Sequence, residues 1–256
     1  MTTGGAREAA VETVDDLQAY GLRIIQPRHG YRFSVDPLLL CAFAAAEGAG
    51  RVIDLGTGCG IIPLVLARQV EGTTFVGVEL QESMAAFAER NVTLNGLTDR
   101  VTIVRDDVLG LRRRFAVSSF DLVLSNPPYR RQGSGRISPK AGRDHARHES
   151  TATLADFLAA AKYLVKPTGR ICFIYHPGRL PELFAEAERQ KLAPLRLRLV
   201  HGTPGAEARM ALVELVKARK GELRVLPPLL VRDEASVYSA EVAAILGEEG
   251  SSGNDR

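Results

Sequence analysis

The chain has 256 residues, 45% of them hydrophobic and 25% charged, the balance of an ordinary globular protein with enough length for one large α/β domain and its core. No apolar run approaches the roughly 18 residues of a membrane span, the polar start over 1–6 has no signal-peptide core, and Cys41, Cys59 and Cys172 lack metal-type spacing, so the expectation is a reducing, cytoplasmic setting with no metal and no membrane. A formal net charge of +3 is too small to argue for a nucleic-acid partner by itself, and any such case rests on where the basic residues lie.

Residues 1–20 are polar and are expected to be mobile or loosely docked. Arg23-Ile24-Ile25-Gln26-Pro27 reads as extended, and Tyr31-Arg32-Phe33-Ser34-Val35-Asp36-Pro37 leads into an apolar helix over 38–46. Asp36 before Pro37 makes an N-cap and N1 pair, which explains both residues as a helix start. The alternative has Tyr31, Phe33 and Asp36 covering a cofactor or receiving substrate.

Next, Arg51-Val52-Ile53-Asp54-Leu55 is a short strand that opens into Gly56-Thr57-Gly58-Cys59-Gly60 and then a helix over 61–70. Glycines let a ligand approach the backbone, and the amide end of the helix favours an anion. Ile61 stands where the dinucleotide pattern requires its third glycine, which disfavours NAD. Asp54, just before the loop, is placed to receive an ammonium group or to cap the loop. A second strand over 73–78 ends in Glu79, the usual place for a carboxylate that binds both ribose hydroxyls. A helix over 83–95 and a strand over 101–104 follow, the latter running into Asp106 and Asp107. Asp107 is the better candidate to accept from an adenine amino group.

The apolar run over 120–124 reads as a buried parallel strand whose carboxyl end delivers Ser125-Asn126-Pro127-Pro128-Tyr129. Two prolines fix φ and remove two backbone donors, so the carbonyls of the turn have no competing amide hydrogens. An exocyclic amino group offers two N–H donors. The Asn126 side-chain oxygen can accept one and the Pro127 carbonyl the other, drawing the nitrogen toward a tetrahedral, nucleophilic shape. Tyr129 supplies a flat face for a base turned out of its stack.

Residues 130–150 carry Arg130, Arg131, Arg136, Lys140, Arg143 and Arg147 against Asp144 and Glu149. More than the net charge of the whole chain therefore sits beside this turn, as a phosphate-binding lid or as a solvated loop. Helices are expected over 153–164 and 181–191, with a turn at 166–170 leading into a strand over 171–175. Strands over 195–200 and 210–216 form an antiparallel closing pair. A short helix over 240–246 precedes a tail, 248–256, of disordered composition.

With these residues in view, the sequence resembles the class I S-adenosylmethionine-dependent methyltransferases, and more narrowly the bacterial tRNA(Val) adenine N6-methyltransferases. The resemblance covers roughly residues 20–245 and rests on Tyr31 to Asp36 with Leu39-Leu40, the glycine loop, Asn126 to Tyr129, Ala146-Arg147-His148-Glu149, and matching stretches at 196–201, 210–218 and 227–229. It departs at Gly202-Thr203-Pro204-Gly205, where a more basic loop is expected, followed by Glu207, a position at which family members often differ. The resemblance implies a Rossmann-like α/β fold, with a seven-stranded, mostly parallel sheet, one antiparallel strand, and helices on both faces. The methyltransferase domain would span 21–247, between a flexible start and a disordered tail. Asp54, Gly56, Thr57, Gly58 and Gly60 would hold the methionine part of S-adenosylmethionine, Glu79 its ribose and Asp107 its adenine, with Asn126 beside it. Asn126, Pro127 and Tyr129 would be catalytic. Tyr31, Phe33, Asp36, Tyr129, Arg130, Arg131, Arg143 and Arg147 would meet a tRNA substrate, with monomer or dimer left open. A protein glutamine N5-methyltransferase, another RNA or DNA amino-group methyltransferase, and a nucleotide-binding module without catalysis are the alternatives.

Overall fold

A computed structural model of the chain describes residues 12–29, 32, 34–127, 152–217 and 222–248. It opens with two antiparallel strands, β1 (Glu12–Leu17) and β2 (Leu22–Pro27), joined by a 3-10 turn, Gln18–Tyr20. The expectation of a loosely docked start therefore stops short at Glu12. The reason is that β1 is held by polar contacts rather than by an apolar stripe: Val14 is 48% exposed, while Glu12 takes both terminal nitrogens of Arg90, at 2.7 and 2.8 Å.

The main sheet is built from β3 (Arg51–Leu55), β4 (Thr74–Glu79), β5 (Val101–Arg105), β6 (Phe120–Ser125), β7 (Val165–Tyr175), β8 (Leu192–His201) and β9 (Ala208–Lys217). In space these run β8-β9-β7-β6-β3-β4-β5, with β9 antiparallel to both its neighbours and the others parallel. Two two-residue strands, β10 (Arg224–Val225) and β11 (Leu229–Leu230), add to the outer edge of β8. The Pro227-Pro228 pair between them lacks two backbone donors and confines each to a short pairing.

Alternation along the strands splits the core in two. Val52, Leu122, Leu124, Cys172 and Ile174 face α1 (Asp36–Ala44), α2 (Ile61–Gln69), α3 (Glu82–Leu94) and the later helix α6 (Ala240–Leu246). Ile53, Leu55, Val123, Ile171 and Phe173 face α4 (Leu154–Leu164), α5 (Leu180–Arg189) and a 3-10 helix, Val108–Arg113. Both faces of the central strands are covered, which is why these runs alternate so little in hydropathy.

Two sequence expectations are corrected by local physics. Asp36 is the first residue of α1 rather than its cap; Val35 holds the cap position, with its carbonyl accepting from the amides of Leu38 and Leu39. A carboxylate in the first turn still favours the helix dipole, so the Asp-Pro signal is satisfied one residue earlier than read. The turn at 166–170 lies inside β7, where the pairing jumps from Phe120↔Val165 to Leu122↔Arg170. Gly169 belongs there because a Cβ would stand 2.6 Å from the Asp121 carbonyl oxygen.

Candidate active site

The carboxyl ends of the parallel strands share one edge. The chain winds outward from β3 through β4 and β5 on one side, and through β6 and β7 on the other, so the switch point lies between β3 and β6. Leu55 is in register with Val78 of β4 and with Ser125 of β6. The residues just beyond these three positions are Gly56, Glu79 and Asn126. Sequence positions 70 residues apart thus meet at one edge.

Three left-handed glycines shape the loop: Gly56 at φ 78°, Gly58 at 59° and Gly60 at 85°. Side chains carrying Cβ rarely adopt such φ values. The loop is sewn to β4 by the amides of Gly56 and Thr57, both donating to the Val78 carbonyl at 2.9 Å. Its outer turn is held by Glu79, whose Oε2 accepts from the Gly58 amide at 2.9 Å and whose Oε1 accepts from the Gln81 amide at 2.8 Å. Burial pushes the Glu79 carboxyl above its ordinary range, and these amide hydrogens pull it partly back. Gly60 caps α2, whose first turn carries no acidic side chain to compete for an anion.

Beneath the loop, Asp54 is 1% exposed. Among the described residues, neither of its carboxylate oxygens, nor the Thr57 hydroxyl, has a hydrogen-bond partner. Thr57 lies close enough to lower the Asp54 pKa somewhat, although no bond of acceptable geometry joins them. Desolvation outweighs this and, with repulsion from Glu79, raises the carboxyl to about 7. A buried carboxylate without donors is costly unless a cation reaches it. The donor set of Asp54, Thr57, Glu79 and the loop amides therefore fits a ligand bearing an ammonium group, a carboxylate and ribose hydroxyls, as S-adenosylmethionine does. Gly77 belongs to the same fit: a Cβ there would meet Thr57 at 2.8 Å.

On the other side of the switch point, Asn126 is half-buried and Pro127 buried. Ser125, fully buried, donates its hydroxyl to the Leu55 carbonyl at 2.8 Å and so fixes β6 against β3 at their tips. Phe157 of α4 packs on the loop, 3.8 Å from where a Gly56 Cβ would stand. Asn91 of α3 reaches the loop from the opposite side and donates to the Cys59 carbonyl at 2.9 Å. At the end of β5, Asp106 is engaged by its neighbour's amide and by Arg114, at 2.8 Å each. Asp107 instead caps the following 3-10 helix through Leu109, at 3.0 Å.

The edge thus gathers Asp54, Gly56, Thr57, Gly58, Gly60, Glu79, Asp107, Asn126 and Pro127. Asp36, half-buried, starts α1. Tyr31, Phe33, Pro128, Tyr129, Arg130, Arg131, Arg143 and Arg147 lie outside the described residues. Ser125, Phe157 and Asn91 were not legible as site residues. The only local signal at Ser125 is a small hydroxyl at the last position of an otherwise apolar strand.

A family model described as the methyltransferase small domain matches residues 36–180. The chain is 33% identical to a tRNA1(Val) (adenine(37)-N6)-methyltransferase of Porphyromonas gingivalis, covering 72% of this chain and 73% of that protein. It is 29% identical to one of Tolumonas auensis, over 88% and 92%. Among solved structures, the predicted O-methyltransferase Atu636 of Agrobacterium tumefaciens shares the fold, with a TM-score of 0.69 at 22% identity over 83% of this chain and 96% of that one. TrmN of Thermus thermophilus aligns with a TM-score of 0.52 at 25% identity, over 71% and 48%. The glycine loop and the β6 turn fall within the matched residues, and this chain belongs to the methyltransferase small domain family, as a class I methyltransferase similar to the tRNA1(Val) (adenine(37)-N6)-methyltransferases.

Proposed function

We propose that the protein methylates the exocyclic N6 amino group of an adenine in tRNA, at the nucleotide beside the anticodon of tRNA1(Val), in the cytoplasm. The observation that carries this reading is the delivery of Asn126 and Pro127 at the tip of β6, directly across the switch point from the glycine loop of β3. When bound, S-adenosylmethionine supplies a methyl group on a sulfonium, electrophilic enough to need no metal.

The chain's own part is to bind and orient. Asp54 answers the ammonium charge, the α2 amide end the carboxylate, and Glu79 the ribose hydroxyls, while Asp107 accepts from the adenine of the donor. The Asn126 side-chain oxygen and the Pro127 carbonyl accept the two N6 hydrogens, which turns the nitrogen lone pair out of the ring for in-line attack. Tyr129, and with it Tyr31 and Phe33, bound the flipped base by aromatic contact. The basic residues Arg130, Arg131, Arg143 and Arg147 take the flanking phosphates. Nitrogen loses its proton readily once alkylated, so positioning rather than a strong base provides the acceleration.

Replacing Asn126 separates binding from chemistry. In Asn126→Ala the affinity for S-adenosylhomocysteine, by calorimetry, is expected to stay within about twofold, while turnover falls by about 100-fold or more, the usual cost of a lost oriented hydrogen-bonding group. Undiminished turnover would remove Asn126 from the mechanism.

A further inference from the structure

The β1–β2 hairpin stands apart from the main sheet, and its attachment is specific. In an antiparallel pair the backbone groups of alternate residues turn away from the partner strand. On β2 the outward residues are Arg23 and Ile25, and α3 meets them with two asparagines one turn apart. Asn95 accepts from the Arg23 amide at 2.9 Å and donates to the Arg23 carbonyl at 2.8 Å. Asn91 accepts from the Ile25 amide at 2.7 Å and donates to the Ile25 carbonyl at 2.9 Å. A helical turn of about 6 Å matches the two-residue repeat of a strand, about 6.6 Å. The two side-chain amides therefore complete the open edge of β2 as a third strand would.

The asparagines differ in their remaining hydrogen. Asn95 donates it to the Asn91 carbonyl of its own helix, at 2.8 Å. Asn91 donates it to the Cys59 carbonyl, in the glycine loop, at 2.9 Å. With 0% exposure, Asn91 has no water to substitute for either contact, so one side chain sets the spacing between the loop and β2. Beyond β2 the chain continues through the segment over 28–35 into α1. Arg32, one of the described residues of that segment, donates to the Thr13 hydroxyl at 2.7 Å and pairs with Asp15 at 2.6 Å.

We propose that Asn91 is a positioning residue that couples occupancy of the glycine loop to the placement of the β1–β2 hairpin. The inference rests on the cofactor reading of that loop. A ligand that orders the loop fixes the Cys59 carbonyl, the carbonyl fixes the Asn91 amide, and the amide fixes Ile25. By linkage the effect runs both ways: whatever fixes the hairpin tightens cofactor binding by the same factor.

The test is amide hydrogen exchange of the full chain with and without S-adenosylhomocysteine, alongside calorimetry. In the parent protein the ligand is expected to slow exchange over 22–27 as well as over 56–60. Asn91→Ala should bind the ligand about tenfold more weakly and lose the hairpin response. Asn95→Ala removes the same kind of hairpin contact without touching the loop. Its hairpin should exchange faster in both states, still respond to the ligand, and leave affinity within about twofold. A purely structural role for Asn91 would instead give two variants that differ only in degree. If Asn91→Ala does not fold, the parent and Asn95→Ala still decide. Ligand binding without slower exchange over 22–27 overturns the coupling alone, whereas absence of ligand binding overturns the cofactor reading and the coupling with it.

Discussion

Asp54 shows how much of the site is a matter of single side chains. Its carboxyl group is buried without a donor among the described residues and raised to about 7, first by desolvation, against a partly offsetting Thr57 and with added repulsion from Glu79. Burial raises the Cys41 thiol of α1, and the Asp54 charge adds to that rise. An unfolded aspartate ionises near pH 4. The stability linked to this group is therefore complete below that pH and is lost as pH rises through about 7. Ligand-free Asp54→Asn is expected to lack that decline and to melt higher than the parent at pH 8, yet to bind S-adenosylhomocysteine more weakly. Parallel melting profiles of the two proteins at pH 6 and pH 8 would contradict the assignment. Asp54, the glycines and Asn126 were legible in the sequence because a strand running into a loop is a local pattern and their chemistry is distinctive. Ser125 and Asn91 were not, because their partners stand 70 and 66 positions away and nothing local marks the meeting.

Elements are seated by the same kind of contact, and α1 is the clearest instance. Its carboxyl end presents the Phe43 and Ala45 carbonyls to Arg196, at 3.1 Å, and Arg170, at 2.7 Å. Both arginines turn on Glu214 of β9, at 2.5 and 3.5 Å, whose side chain is 3% exposed. Arg196 also lies over the Phe43 ring, 4.7 Å from its centroid. This buried triad holds in place the helix whose first residue is Asp36. Removing the acid leaves two partly buried cations facing each other, so Glu214→Ala is expected to cost about 3 kcal/mol of unfolding free energy, the low end for a broken buried pair because the arginines retain some water. A urea midpoint within experimental error of the parent would contradict that role. The sequence indicated α1 through its apolar run but extended it to residue 46. The structure ends it at Ala44 because Ala45 turns left-handed, at φ 46°, and the arginines that take its last carbonyls come from strands more than 100 residues downstream.

The whole molecule places two sets of polar groups on either side of one switch point. Carboxylates and loop amides gather on β3 and β4, the acceptor turn gathers on β6, and the hairpin is latched behind the loop by α3. The individual strands and an antiparallel closing pair were legible from the apolar runs and turns, and the seven-stranded sheet with its single antiparallel strand only from the family resemblance. Of the hairpin, β2 was legible as the extended run over 23–27, whereas β1 was not, since polar latching leaves no hydropathy signal; β10 and β11 were not, since two residues are too short to show a period. Among the described residues no helix is long and apolar enough to cross a membrane. The basic stretch over 130–150 holds six arginine or lysine residues against two acids, beside the turn where a polyanion would be read. The most direct test of the chemistry at that turn is to incubate the purified protein with S-adenosylmethionine and bulk tRNA, digest the RNA, and locate the methyl group by mass spectrometry. N6-methyladenosine in the anticodon-loop fragment of tRNA1(Val), and its absence with Asn126→Ala, is the expected result. A methyl group found on another atom of the RNA, or on a protein glutamine with none on tRNA, would contradict it.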